Sequence, residues 1–145
     1  MTLLIGIGFC LILSAFFSAS EMAFLSTDAV KLRNEAERGS PQAEKILGLF
    51  RDSRQFITSM LIGNNIVNTL AAILVTLFLE SHFRIKDEWV VTTILAPVLI
   101  ILGETTPKGY GRHRSRAFLI EHALLMLFFF KLFYWPARTL IALSD

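Results

Sequence analysis

Between Arg54 and Glu80 the sequence reads QFITSMLIGNNIVNTLAAILVTLFL, which is 25 residues without a charged side chain. At about 1.5 Å of rise per residue, a helix over this stretch can cross a hydrocarbon core about 30 Å thick with some tilt. A helix also satisfies its own backbone hydrogen bonds inside lipid. We therefore predict a transmembrane helix over about 55–80.

The composition of the chain agrees with a membrane domain. Of its 145 residues, 54% are hydrophobic and 18% are charged, whereas about 25% are charged in an average soluble domain. The abundance of Leu, Ile and Phe with a net charge of only +2 excludes a disordered chain. A single cysteine, Cys10, excludes a disulfide framework and a Cys-based zinc cluster. Because the sequence also has no phosphate-binding glycine loop, we expect no enzyme activity.

The N-terminal stretch is the next candidate span. Met1–Ser20 contains no charged side chain and predicts a transmembrane helix over about 1–24. A cleaved signal peptide is the alternative interpretation, but it would carry basic residues before its apolar core. The first basic residue of this chain is Lys31.

A third, broken span is predicted over about 89–107. It is apolar except for Glu104 and is interrupted by Pro97. Because Gly103 is flexible and Pro107 disfavours helical geometry at the residue before it, we expect unwound backbone with free carbonyl groups around Glu104. The predicted fold class is an all-α integral membrane protein with three transmembrane helices and additional juxtamembrane or interfacial helices.

Two juxtamembrane helices are predicted between the first two spans, over about 28–38 and 41–51. Gly39 is a typical C-terminal glycine of the first helix. Ser40 and Pro41 are a typical N-cap and first helical residue of the second. We expect both helices to rest on the membrane surface, and packing on a soluble domain is the alternative.

The last apolar segment is predicted as a further juxtamembrane helix over about 117–143. Lys131 lies near the middle of its apolar part, and Pro136 follows a Tyr-Trp pair that favours the interface. We expect an interfacial helix or a re-entrant hairpin rather than a full span.

Basic residues are concentrated in two connecting segments, Thr27–Arg54 and Lys108–Arg116, whereas the segment 80–88 contains only Arg84 and Lys86. By the positive-inside rule the two basic segments lie in the cytoplasm. The prediction is a multi-pass protein of the cell membrane with its N-terminus outside.

Several polar side chains lie within the predicted spans, where they are costly unless they face protein or water. They are Ser14, Ser18 and Glu21 in the first span, which share one helix face, Asn64 and Asn68 in the second, and Glu104 in the third. Ser14 has a simpler interpretation, a hydrogen bond to the carbonyl four residues earlier. Glu21 is close enough to the end of its span to reach water.

These polar groups share one kind of chemistry. Hydroxyl, amide, carboxylate and free carbonyl oxygens are hard donors, which bind Mg²⁺, Ca²⁺ or Na⁺ rather than zinc or copper. One carboxylate among several neutral oxygens suits a cation that binds and then leaves. The residues predict an intramembrane cation site without choosing the ion.

Three segments of the chain resemble, in order and spacing, the signature segments of the transmembrane domain of the CorC/CNNM family of magnesium transporters. They are LSAFFSASEMAFLS (Leu13–Ser26), SMLIGNNIVNTLAA (Ser59–Ala72) and GETTPKGYGRHRS (Gly103–Ser115). The resemblance implies a homodimer with three transmembrane helices per subunit and a belt of juxtamembrane helices. It also implies export of Mg²⁺ coupled to Na⁺, with a cation held between the spans.

The resemblance carries site residues onto this sequence. It implies Mg²⁺ ligands at Ser18, Asn64, Asn68, Gly103 and Glu104, with Gly103 contributing its carbonyl. Ser14 and Glu21 are candidates for a neighbouring sodium site or pathway.

Family members continue into cytosolic CBS modules that bind nucleotide, and the printed sequence stops at Asp145 before any such module. The expectation is an isolated membrane domain with a cytoplasmic C-terminus, membrane lipid as a partner and no nucleic-acid partner. Two alternatives stay open: a Na⁺ or Ca²⁺ transporter on the same scaffold, and a membrane anchor or dimerisation module for a cytosolic sensor.

Overall fold

The protein is described by a computed structural model that covers residues 1–83, 89, 93 and 97–144. These described residues contain helices and no strand. The helices are α1 (Thr2–Ser26), α2 (Ala29–Glu37), α3 (Pro41–Arg51), α4 (Ser53–Phe83), a π-helical segment (Leu99–Thr105), α5 (Thr106–His113), α6 (Ser115–Glu121), α7 (Ala123–Leu132) and α8 (Tyr134–Ser144). The predicted all-α class is confirmed.

Two of the described helices, α1 and α4, are each long and apolar enough to cross a membrane. They pack against each other over much of their length. Hydropathy located both of them, because each helix extends to or just beyond the charged residues that bound its apolar stretch. The α1–α4 pair is the scaffold on which the rest of the domain is arranged.

The third predicted span, about 89–107, lies partly outside the described residues. Its described end is helical, so the expectation of unwound backbone around Glu104 is wrong. Leu99–Thr105 is a π-helix that continues directly into α5, and the N–H of Thr106 donates to the carbonyl of Ile101, five residues earlier. A π-helical turn fits one extra residue into a helix, and such turns are frequent at functional sites. Pro107 lies in the first turn of α5, inside this continuous helix, and has no N–H to donate to a carbonyl of the preceding turn.

The turn between α2 and α3 confirms the local predictions. Gly39 has a φ of 91°, which favours glycine, and it ends α2. Ser40 accepts a hydrogen bond at its Oγ from the N–H of Ala43 at 3.3 Å, and Pro41 begins α3. Both helices bury one apolar face against the rest of the domain, through Leu32 on α2 and Ile46 on α3.

The segment predicted as one helix over about 117–143 is divided into α6, α7 and α8. The axes of α7 and α8 differ by 61°, so the pair is either a broken span or a re-entrant loop. The side chain of Gln55, at the start of α4, donates to the carbonyl of Tyr134 at 2.7 Å. This bond ties the bend to one end of α4.

Phenylalanine rings join the bent pair to α1. The ring of Phe17 is almost fully buried and lies 4.7 Å from the ring of Phe129 and 6.1 Å from that of Phe133, centroid to centroid. We call Phe16, Phe17, Phe118, Phe129 and Phe133 the aromatic cluster. Gly63 of α4 makes room for it, because an added Cβ there would lie 2.7 Å from two carbons of the Phe17 ring.

Candidate metal centre

The candidate site lies at the midpoint of both long helices. Ser14 is twelve residues from each end of α1, and Asn68 is fifteen residues from each end of α4. At about 1.5 Å per residue, Ser14 is about 18 Å from either end of its helix. Transporters commonly place substrate and ion sites at this depth, near the bilayer midplane.

Four oxygen atoms meet at this point. The hydroxyl Oγ of Ser14 lies 2.9 Å from Oδ1 of Asn64, 2.7 Å from Oδ1 of Asn68 and 3.3 Å from the carbonyl oxygen of Gly103. They come from α1, α4 and the π-helical segment. We call these four atoms the oxygen cluster. Ser14 is 1% exposed and Asn64 is 4% exposed, so the cluster is withdrawn from the surface of the chain.

The oxygen cluster has more acceptors than hydrogens. A serine hydroxyl has a single proton to donate, while three oxygens surround it. The NH₂ group of Asn68 donates to Oε1 of Glu104 at 3.2 Å, which turns its oxygen towards Ser14. At least two of the contacts to the Ser14 oxygen therefore bring lone pairs together without a hydrogen. Lone pairs that converge in this way attract a cation.

The distances around the Ser14 oxygen are compatible with a small divalent ion as well as with ordinary hydrogen bonds. In an octahedral shell with Mg–O distances of about 2.0–2.1 Å, neighbouring ligand oxygens are about 2.9 Å apart. The three contacts of the Ser14 oxygen, 2.7 to 3.3 Å, bracket that value. Glu104 is joined to the cluster through the Asn68 amide and supplies a negative charge beside it.

Gly103 lets the π-helical segment approach α1 closely. A Cβ at this position would lie 2.9 Å from Oγ of Ser14 and 3.6 Å from its Cβ. Pro107, four residues further on, has no N–H to donate to the Gly103 carbonyl. The Gly103 carbonyl oxygen instead lies 3.3 Å from the hydroxyl oxygen of Ser14.

The chain matches the family described as the Cyclin M transmembrane N-terminal domain over residues 5–145. This range includes the three segments that carry the resemblance and every residue of the oxygen cluster. The chain belongs to the CNNM family. The resemblance predicted from the sequence is confirmed.

Known relatives of this CNNM domain are longer than the chain. A UPF0053 protein of Haemophilus influenzae is 31% identical over 135 residues, which are 92% of this chain and 32% of the relative. The UPF0053 inner membrane protein YfjD of Escherichia coli is 32% identical over 96 residues, 66% of this chain and 22% of the relative. The chain thus spans about a quarter to a third of their length. A polyamine export protein of Salmonella typhimurium is 39% identical over 66 residues, 45% of this chain and 15% of the relative.

Within this CNNM domain the predicted ligands divide into two groups. Asn64, Asn68 and Gly103 contribute atoms to the oxygen cluster, and Glu104 is one hydrogen bond away from it. Ser18 is fully buried one turn along α1, and its hydroxyl has no hydrogen-bond partner among the described residues. Glu21 is partly exposed and lies about 10 Å along the helix from Ser14.

Ser14 is at the centre of the cluster, although the sequence favoured a local hydrogen bond for it. Its hydroxyl contacts α4 and the π-helical segment rather than a carbonyl of its own helix. The available signal was its spacing from Ser18, which puts both hydroxyls on one face of α1. That signal does not say which of the two lies level with the asparagines of α4.

The described residues contain no group of three or more His, Cys, Asp and Glu side chains close enough to hold a metal. The four atoms of the oxygen cluster are all neutral, and Glu104 is the carboxylate next to them. This composition differs from that of a high-affinity Ca²⁺ site, which collects several carboxylates.

Proposed function

We propose that this domain exports Mg²⁺ across the cell membrane in exchange for Na⁺, and that it is a transport domain rather than an enzyme. The observation that carries the proposal is the oxygen cluster, in which four oxygens with one shared hydroxyl proton meet at the midpoint of two spans. Membership of the CNNM family supports it. Hydropathy alone would be equally compatible with a simple anchor.

The chemistry of Mg²⁺ explains why the site needs several oxygens. The ion gives up its water reluctantly and demands near-octahedral geometry. In our proposal Ser14, Asn64, Asn68 and the Gly103 carbonyl replace lost waters, and Glu104 compensates charge. Ser18, with its unpartnered hydroxyl, provides the next oxygen along α1. Na⁺ prefers the same hard oxygens, so the coupling ion can use this site or the Ser18 to Glu21 side of α1.

The same proposal includes a release step. The oxygens come from α1, α4 and the π-helical segment, so a movement of one of these relative to the others separates them. Mg²⁺ enters near the basic connecting segments and leaves at the opposite side of the membrane. The N-terminus is outside and the C-terminus is cytoplasmic in this arrangement, as the positive-inside rule predicts.

We further propose that two copies of the domain form the functional unit. Asn65 lies on the exposed surface of α4, inside the stretch that crosses the membrane. An amide that faces lipid is costly, whereas amides between neighbouring helices stabilise their association. A second copy that covers this face of α4 gives Asn65 a protein environment.

Ion binding can be tested on the purified chain. Thermal unfolding in detergent is followed across a MgCl₂ series, with CaCl₂, NaCl and KCl in parallel, for the parent and for Glu104→Gln. At about 100 times its dissociation constant a ligand adds about 2.7 kcal/mol to the free energy of unfolding. We expect a Mg²⁺-selective stabilisation that Glu104→Gln weakens strongly.

Glu80→Gln is the matched control, since Glu80 is an exposed carboxylate at the far end of α4. It should respond to Mg²⁺ as the parent does. A parent that no cation stabilises would contradict the proposal and favour the anchor. A larger response to Na⁺ or Ca²⁺ would contradict the choice of Mg²⁺.

The coupling of Mg²⁺ movement to Na⁺ needs a separate measurement, in proteoliposomes loaded with a fluorescent Mg²⁺ indicator. An imposed Na⁺ gradient should drive Mg²⁺ movement in the opposite direction, and an equal K⁺ gradient should not. Equal rates with both gradients would contradict exchange for Na⁺ and leave the binding result intact.

Polyamine export is a second candidate function. It is favoured by the name of the Salmonella relative, a polyamine export protein that is 39% identical over 45% of this chain. A polyamine is an organic cation whose ammonium groups donate to the same carboxylate and carbonyl oxygens. Titrations with putrescine and spermidine in the unfolding experiment decide between Mg²⁺ export and polyamine export. Stabilisation by a polyamine at concentrations where Mg²⁺ has no effect would favour this second function.

A further inference from the structure

A polar cavity lies where α1 ends and α2 begins. It has a volume of about 500 Å³ and is bounded on its other side by the junction of α5 and α6. Basic side chains dominate its lining, together with hydroxyl groups; the main ones are Lys31, His113, Arg114, Arg116, Ser26 and Ser115. The cavity is remote from the oxygen cluster, since Ser26 lies about 18 Å from Ser14 along α1.

The cavity carries an excess of positive charge. Lys31, Arg114 and Arg116 are cationic, and the lining contains one carboxylate, Asp28. That carboxylate accepts the N–H of Val30 at 2.9 Å and so caps α2. Arg116 is paired with Glu35, at 3.2 Å. Within the described parts of the chain, Lys31 and Arg114 have no ion-pair partner.

The cavity lies at the end of α1, which is long and apolar enough to span a membrane. Helix α1 ends at Ser26, and Asp28, Lys31 and Arg33 follow at the start of α2. Leu25 and Val30, on either side of the turn, are 57% and 67% exposed. Exposed apolar side chains beside cations are typical of a surface that contacts lipid acyl chains and headgroups together.

We propose that this cavity binds the phosphate of an anionic phospholipid headgroup. Guanidinium and ammonium groups are the usual ligands of phosphate, and the hydroxyls of Ser26 and Ser115 can donate to its remaining oxygens. The basic lining selects an anionic over a zwitterionic lipid. The place of the cavity at the end of α1, a helix long and apolar enough to span a membrane, favours a lipid over a free phosphate. Lipid binding at this cavity does not depend on which ion the oxygen cluster binds.

Native mass spectrometry of the full chain in detergent tests this proposal. The probes are dioctanoyl phosphatidylglycerol, dioctanoyl phosphatidylcholine and inorganic phosphate. The variant is Lys31→Gln with Arg114→Gln. Each basic side chain at an anionic membrane surface changes binding about fivefold, so the double variant should bind phosphatidylglycerol about 25-fold more weakly.

The control is Arg38→Gln with Lys45→Gln, which removes two exposed cations of the same region that do not line the cavity. It should retain the parent affinity within about twofold. Equal loss in both double variants, or equal binding of phosphatidylcholine, would overturn the proposal. Inorganic phosphate that displaces the lipid at similar concentration would overturn the assignment to a lipid. Circular dichroism of each variant establishes that it keeps the parent helix content.

Discussion

Neighbouring turns of α1 make two very different contacts. Ser14 lies in the oxygen cluster, where polar atoms from three elements converge on one hydroxyl. Phe17, three residues later, lies in the aromatic cluster, where rings from α1 and α7 pack at 4.7 Å. The aromatic contact is complete as it stands, because every ring has partners. The oxygen contact has one hydroxyl hydrogen for three acceptor oxygens, and in our proposal a cation completes it.

The aromatic cluster stabilises the fold, whereas the oxygen cluster is the part that we propose binds an ion. In lipid there is little hydrophobic drive between helices, so van der Waals packing and glycine contacts hold the bundle together. The oxygen cluster contributes little to that packing. Substitutions in the aromatic cluster should therefore change stability in every buffer, and substitutions in the oxygen cluster should change the response to ions.

The largest effect on stability is expected for Phe17→Ala. The ring is 1% exposed and touches rings of three other residues of the aromatic cluster. Its loss leaves a cavity, and we expect a decrease of about 3 kcal/mol in the free energy of unfolding, the lower end of the usual range for Phe→Ala. The measurement is unfolding in mixed detergent micelles, with and without MgCl₂. Leu4→Ala, at an exposed position of the same helix, is the control.

The Mg²⁺-dependent stabilisation should survive in Phe17→Ala, measured at a lower starting stability. If the variant instead lost its ion response and kept the parent stability, the division between the two regions of α1 would be wrong.

A somewhat smaller loss is expected for Gly111→Ala. Gly111 is buried against the backbone of Ala19, and an added Cβ would overlap the Ala19 carbonyl oxygen. Since backbone cannot move aside as a side chain can, α5 must separate from α1, at a cost of about 2 kcal/mol. Melting temperature reports this loss. Gly109→Ala has open space around its Cβ, and its melting temperature should equal or exceed that of the parent. Equal stability of the two variants would show that the α1–α5 contact is loose.

The sequence predicts the positions of the helices but not how α1 and α4 are aligned. Both long helices follow from the positions of charged residues, and the α2–α3 turn follows from Gly39 and Ser40. The level at which α1 meets α4 does not follow, because sliding one apolar helix past another by a turn exchanges Ser14 for Ser18. In the structure this level is set by contacts far apart in sequence, such as the Phe17 ring against Gly63.

The third element shows a different reason for a failed prediction. Pro107 correctly indicated a disturbance of the helix near Glu104. Because proline disfavours helical geometry at the residue before it, we predicted that the disturbance was unwound backbone. The structure absorbs it in a π-helix over Leu99–Thr105. Local propensity does not distinguish these outcomes, since the π-helix makes contacts far away in sequence, such as that of Gly103 with Ser14 on α1.

Ser14→Ala should change stability by no more than about 1 kcal/mol, because it removes one hydrogen bond from an acceptor-rich site. Its stabilisation by MgCl₂ should disappear, since the shared oxygen of the cluster is gone. Ser59→Ala is the matched control: Ser59 is also fully buried, but it donates to the carbonyl of Gln55 in its own helix, at 2.8 Å. A Mg²⁺ response that Ser14→Ala retains in full would contradict the role of the oxygen cluster.

The smallest change in stability, and the sharpest test of the comparison, is expected for Gly103→Ala. Alanine gains up to about 1 kcal/mol of helix propensity over glycine, and the crowding of its Cβ against the Ser14 hydroxyl at 2.9 Å costs a similar amount. The free energy of unfolding without Mg²⁺ should therefore stay close to that of the parent. The new methyl group occupies space between Ser14 and Asn68, so the MgCl₂ concentration at half-maximal stabilisation should rise about tenfold or more. Gly109→Ala, with its open surroundings, should keep the parent value. A Gly103→Ala variant with unchanged Mg²⁺ response would mean that the ion does not sit among these oxygens, because a methyl group placed there cannot leave their geometry intact.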